Sequence, residues 1–190
     1  MSQVSVVYFS GYGHTRQQAA ALAAGVRVVD GTQAELVEID QDGNLTDAQW
    51  DLLAQADGII FGSPTYMGSV AWQFKKFADA SSKPWYSRVW QDKLAGGFTN
   101  SASMNGDKGS TLQYLVTLAS QHGMLWVSLG QLPSNSKAAD RNDLNFLGGS
   151  VGVLAQSPSD SSPQEGPLAG DLATATAYGQ RFAEQVKRLG

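Results

Sequence analysis

Hydrophobic positions along this chain fall into two alternating rhythms. Residues 4–9 (Val-Ser-Val-Val-Tyr-Phe) form an almost unbroken apolar run, as expected for a strand buried on both faces of a parallel sheet. Over residues 15–26 the spacing changes. Ala19, Leu22, Ala23 and Val26 make a stripe of helical period. The alternation then repeats. Strands are predicted at 34–39, 58–62, 94–99 and 124–127. Helices are predicted at 47–56, capped by Thr46, then around Val70, Phe74, Phe77 and Ala78, and around Leu112, Leu115, Val116 and Ala119. A last helix carries Leu172, Ala175, Tyr178, Phe182, Val186 and Leu189 on one face.

Five strands alternating with five helices predict an α/β fold, a three-layer doubly wound parallel sheet. One region breaks the rhythm. Residues 130–150 are long, polar and weakly periodic, and a short apolar segment follows at 151–155. This reads as an insertion that splits the fifth strand. Residues 156–167 are rich in Ser and Pro and read as a surface loop. With no repeat and no linker, residues 1–190 read as one domain.

Composition narrows the chemistry. The 190 residues include no cysteine, which removes thiolate catalysis, disulfides and zinc–sulfur sites. The net charge of −4 and the lack of a basic cluster argue against nucleic acid. No apolar run approaches the ~20 residues of a membrane span, and no signal peptide is evident. A cytoplasmic protein is the expectation.

Doubly wound sheets bind ligands beyond the carboxyl ends of their strands, and three loops there have unusual content. After the first strand comes Ser10-Gly11-Tyr12-Gly13-His14-Thr15, small and hydroxyl-rich, running straight into a helix. Backbone N–H groups and the helix dipole can hold a phosphate there without a lysine; Arg16 is the one cation nearby. An ordinary capped turn is the competing reading. After the third strand, Ser63-Pro64-Thr65-Tyr66-Met67-Gly68-Ser69 reads as a rigid turn. Its amides suit the polar edge of a flat heterocycle, and its Tyr and Met suit the face. The alternative is a turn that merely starts the next helix. After the fourth strand, Asn100-Ser101-Ala102-Ser103-Met104-Asn105-Gly106 is polar and acid-free, suited to a second wall.

His122, before the helix-ending Gly123, is either a cation favoured by the helix dipole or a donor to a ligand's polar edge. Trp85 and Tyr86 precede the fourth strand and could cap a site mouth, fill core, or meet another subunit. Trp72 lies off its helix's apolar face and is a candidate interface residue.

Three stretches carry a family resemblance: residues 8–15, residues 59–68 and His122-Gly123-Met124. With them the chain resembles the flavodoxin-like superfamily, and within it the WrbA-type NAD(P)H:quinone oxidoreductases, over nearly its whole length. The resemblance implies a flavodoxin-like sheet of order 2-1-3-4-5 binding FMN noncovalently. It implies that Ser10, Gly11, Tyr12, Gly13, His14 and Thr15 surround the phosphate. Pro64, Thr65, Tyr66, Met67 and Gly68 would lie along the isoalloxazine. Asn100, Ser101, Ala102, Ser103, Met104 and Asn105 would form the opposite wall, with His122 near the ring as the catalytic group. Tyr12 and Trp85 would contact nicotinamide or quinone. The implied reaction is ping-pong, two-electron hydride transfer from NAD(P)H through FMN to a quinone, in a homodimer or homotetramer. A flavodoxin-type electron carrier, an NAD(P)H-dependent FMN or azo reductase, and a flavin-binding regulatory protein are the competing functions.

Overall fold

The structure, a computed structural model, describes residues 1–189. Its central parallel sheet contains β1 (Ser2–Tyr8), β2 (Thr32–Glu38), β3 (Gly58–Tyr66) and β5 (Leu94–Ser101) in the order β2-β1-β3-β5. The edge beyond β5 is made of two pieces. β6 (Leu125–Trp126) pairs with Leu94 and Ala95, and β7 (Val153–Gln156) pairs with Phe98 through Ser101. The predicted fifth strand is thus split by the polar insertion, and the flavodoxin-like order is preserved.

Alternation along the strands divides the core into two layers. Val4, Val6, Tyr8 and Ile60 face α1 (His14–Arg27) and α6 (Ala169–Leu189), where Leu22, Tyr178 and Phe182 pack. Val7, Ile59 and Phe61 face the other side, with Leu53 of α2 (Asp47–Gln55), Phe74 and Phe77 of α3 (Trp72–Ala80), and Leu112 and Leu115 of α5 (Lys108–Gln121). Trp90 is the largest side chain of this second layer, stacked with Trp50 and fully buried. Thr46 caps α2 through a reciprocal bond with Gln49. The stripe predicted for α1 is buried throughout. Helices α1 and α6 meet at backbone distance because Gly25 and Gly179 face each other's helix; a Cβ at either would collide with a carbonyl of the partner helix.

Several elements differ from expectation. β3 does not end at Gly62 but continues through Ser63-Pro64-Thr65-Tyr66, still paired with β5 as far as Pro64–Asn100. Met67 and Gly68, both at positive φ, turn the chain into β4 (Ser69–Val70), which pairs back on β3. Val70 therefore belongs to a hairpin rather than to the following helix. Its two central residues have the φ sign of a type I′ turn. Trp85 and Tyr86 lie in a short helix, α4 (Ser82–Tyr86), rather than a loop. Seven strands and six helices replace the predicted five and five. Val116 is only partly buried, and Leu189 is exposed because α6 outruns the sheet. No described helix is long and apolar enough to cross a membrane.

Candidate functional site

The carboxyl ends of β1, β3 and β5 and the first turn of α1 converge on one pocket of about 490 Å³, within the range of small-molecule sites. Tyr12, His14 and Thr15 line it from the first loop, Pro64, Thr65 and Tyr66 from the β3 extension, and Asn100, Ser101 and Ala102 from the end of β5. The three loops singled out in the sequence do meet. Ser10, Gly11 and Gly13 belong to the first loop without lining the pocket, and Met67 and Gly68 form the hairpin tip, which lines a neighbouring cavity with Thr65, Ser101 and Ala102.

The first loop is built for an anion. Among the described residues, the backbone N–H groups of Gly11, Tyr12, Gly13, His14 and Thr15 donate to no protein group. They surround the start of a 14-residue helix, where the aligned peptide dipoles favour negative charge. Gly13 adopts φ 92°, a left-handed conformation, and a Cβ there would stand 2.6 Å from Pro163 Cγ. Ser10 and Thr15 are buried hydroxyls; Ser10 Oγ accepts from Arg16 N at 3.2 Å. Arg16, the expected cation, points elsewhere. Its guanidinium is bidentate on Glu38, at 2.9 and 2.6 Å, and Tyr8 donates to the same carboxylate at 3.2 Å. Burial, with Glu38 adding to it, pushes the Tyr8 hydroxyl up to about 12. The cradle is therefore neutral and dipolar, with no carboxylate on its lining.

A fourth wall was missed by the sequence reading. Ser157, Pro158, Ser159 and Ser161 line the pocket from the segment read as a surface loop. Ser157 Oγ donates to Asn100 Oδ1 at 3.0 Å. The His14 ring is 3.0 Å from the Ser161 carbonyl; a carbonyl only accepts, so Nε2 carries the proton. The signal for this wall was available. β7 runs parallel to β5, so the chain leaving it must emerge at the ligand edge.

Beneath the β3 extension, Thr65 Oγ1 lies 2.8 Å from both Thr99 Oγ1 and Thr111 Oγ1, all buried. This hydroxyl chain ties the β3 extension to β5 and α5. Ser63 Oγ accepts from Ala71 N and donates to Pro64 O, both at 2.9 Å, fixing the base of the hairpin. Tyr12, 75% exposed, and Tyr66 meet edge to face at 6.2 Å on the lip. In the third loop the N–H groups of Ala102 to Asn105 also donate to nothing in the described protein. A flat heterocycle with a polar edge finds donors on this side and aromatic surface at the mouth. The donor set fits FMN at both ends.

His122 and Trp85 are not brought to this pocket. His122 lies at the opposite end of α5, roughly 20 Å from its first turn at 1.5 Å per residue. It is 5% exposed and packs tilted against Trp90, ring centroids 4.3 Å apart. Its Nε2 is 2.9 Å from Ser81 Oγ, whose own proton goes to Ala78 O, so Nε2 is the donor. Nδ1 has no protein partner. Burial pushes the imidazole down to about 4. Trp85 donates to Gln121 O at 3.0 Å, beside the same helix end. Helices of a parallel sheet run back against their strands, so the end of α5 belongs to the far edge.

The sequence profile described as NADPH-dependent FMN reductase matches residues 16–139. The chain belongs to this family. It is 60% identical over 189 residues to flavodoxin FldP of Pseudomonas aeruginosa, covering 100% of this chain and 99% of that one. It is 33% identical to an NAD(P)H dehydrogenase (quinone) of Chromohalobacter salexigens, with 100% and 99% covered. Among solved structures, a flavodoxin, WrbA-like protein from Agrobacterium tumefaciens superposes with a TM-score of 0.81 at 49% identity, each chain covered in full. The chain is thus a flavodoxin-like, WrbA-type flavoprotein, and its cofactor is FMN.

Proposed function

We propose that the protein is a cytoplasmic NAD(P)H:quinone oxidoreductase that works by a ping-pong cycle. The reading is carried by one observation: a carboxylate-free pocket lies beneath an exposed aromatic lip, so a second ring can approach a bound one. When bound, FMN supplies two-electron transfer between a reduced nicotinamide and a quinone. The chain's own residues bind, orient and shield. The N–H groups of Gly11 to Thr15, with the Ser10 and Thr15 hydroxyls, would hold the phosphate. Pro64 to Gly68 and Asn100 to Asn105 would flank the ring. Tyr12 would stack with nicotinamide or quinone. The named activity of the 33% identical relative supports the same reaction class. Trp85 borders a site only if a second copy brings it there, which fits a homodimer or homotetramer.

Reconstitution with FMN, then steady-state oxidation of NADH and NADPH with benzoquinone, tests this. Parallel-line kinetics are expected, and FMN binding without nicotinamide oxidation would overturn the enzyme reading. A second reading, an electron carrier, is favoured by the flavodoxin name of the 60% identical relative. Reduction by a partner reductase but not by nicotinamide would select it.

A further inference from the structure

Lys108 is an unusual residue that neither the anion cradle nor the proposed chemistry accounts for. It opens α5, at the positive end of the helix dipole, where a cation is least favoured. It is nevertheless only 2% exposed. Gly106 and Asp107, at φ 54° and 51°, turn the chain so that this first helical residue faces inward.

All three ammonium hydrogens are used. They go to Ser101 Oγ at 2.7 Å, Ser103 O at 2.9 Å and Met104 O at 2.9 Å. Ser101 Oγ in turn donates to Ser103 O at 2.9 Å. Every acceptor is neutral, so the hydrogen bonds are satisfied while the charge is not. The ion pairs among the described residues are Arg16–Glu38, Lys75–Asp79 and Arg141–Asp171. Lys108 is in none of them. Asp171, the acid that acts on it, is already held bidentate by Arg141, whose charge opposes it. Burial lowers the ammonium to about 8. It keeps its proton at neutral pH, but folding works against the charge.

The three acceptors belong to the third loop, and Ser101 lines the pocket. The ammonium therefore stands one side chain behind the wall of a pocket whose lining has no carboxylate to cancel it. We propose that Lys108 is a positioning residue that sets the electron affinity of the bound cofactor: it fixes the Ser101–Met104 wall and supplies the pocket's buried positive charge. Reduction adds negative charge to the ring system, and an uncompensated cation in a poorly screened site stabilises that form over the oxidised one. A charge that opposes folding of the empty protein has its use only when the cofactor is reduced.

The inference rests on FMN occupying this pocket. The test uses full-length Lys108→Met, Lys108→Gln and Lys108→Arg. Three quantities are read: FMN dissociation constant by fluorescence quenching, two-electron midpoint potential by dye equilibration at pH 7, and melting temperature of the apoprotein. In Lys108→Met and Lys108→Gln the preference for reduced over oxidised FMN should fall about tenfold, which is about 30 mV for a two-electron couple. Lys108→Arg should keep the potential. The apoprotein's melting temperature should hold or rise in Lys108→Gln. Overturning results are a wild-type potential in both neutral variants, equal weakening of both redox forms, or a Lys108→Arg shift matching Lys108→Gln. If Lys108→Met fails to fold, the Gln and Arg pair decides the matter. Failure of the wild type to bind FMN overturns the cofactor assignment itself, whereas wild-type binding with unshifted variants overturns this inference alone.

Discussion

The two ends of α5 each bury an ionisable side chain, and they do so in opposite ways. At the pocket end, Lys108 has every hydrogen bond it can make and an uncancelled charge. At the far end, His122 has one hydrogen bond, an unpartnered Nδ1 and a ring packed at a tilt against Trp90. Lys108 is held by a polar loop that lines a cavity; His122 is held by the aromatic core. The pocket edge also keeps its backbone N–H groups free of protein partners, while the far edge uses Trp85 to satisfy the last turn of α5. One edge leaves a row of backbone donors unpaired by the protein; the other bonds the end of its helix and leaves one buried ring nitrogen without a partner. A buried titratable residue alone therefore does not mark a site. What distinguishes the two ends is whether neighbouring donors remain available to something outside the chain.

The largest expected effect strikes the available donors directly. Gly13→Val places a β-branched residue at φ 92° and drives its Cβ into Pro163. The left-handed conformation alone costs about 1–2 kcal/mol, and displacing the 157–163 segment opens the fourth wall. FMN affinity should fall about 100-fold or more, near 3 kcal/mol, as read by flavin fluorescence titration. His122→Gln in the same assay should stay within about twofold of wild type. Equal losses in both would erase the distinction between the two edges.

The next effect is read in stability. The folded-state value of His122, about 4, lies below the unfolded value of 6.5. As pH falls, the unfolded chain takes up the proton first. The stabilisation is complete above pH 6.5 and drains away toward pH 4. A difference on the order of 2 kcal/mol is expected across that window. His122→Gln keeps a donor for Ser81 but does not titrate there. Urea denaturation at pH 7.5, 6 and 5 should show a flatter dependence in the variant. An unchanged slope would mean that Nδ1 is solvated and that the far edge is not closed.

Much of this contrast was legible in the sequence, and the failures have physical reasons. β1 and α1 were readable because one is an almost unbroken apolar run and the other a clean apolar stripe of period 3.6. The order of the sheet came with the family resemblance, and the split last strand was legible in the long polar stretch 130–150 that interrupts the alternation. The β3 extension was hidden by Ser63-Pro64-Thr65, whose residue types signal a turn. Pairing with β5 overrides that preference as far as Pro64. Lys108 drew no notice in the sequence, because nothing local tells that Gly106 and Asp107 turn it inward. His122 and Trp85 were assigned to the pocket by resemblance, although the direction of α5 already sent His122 to the other edge, where Trp85 of α4 meets it. The 156–167 segment reads as a surface loop by composition alone; only its position after a parallel strand carries it to the pocket.

The smallest effect concerns strain, which both edges also store. Met67 sits on the hairpin tip with φ 47° and a fully exposed side chain; Asp92, at φ 65°, is its counterpart beside the end of α5, where its N–H donates to Gly123 O. A non-glycine residue in this conformation costs about 1 kcal/mol, and glycine relieves it at the expense of a freer unfolded chain. Met67→Gly and Asp92→Gly should each raise stability by less than about 1 kcal/mol in urea titrations. Their kinetic consequences should differ. Met67 brings apolar surface to the pocket lip, so its loss should raise the quinone KM about threefold with FMN affinity nearly unchanged. Asp92→Gly should leave KM alone, since it touches only the far edge. If both substitutions stabilise and neither moves KM, the strain at Met67 belongs to the hairpin and not to the site.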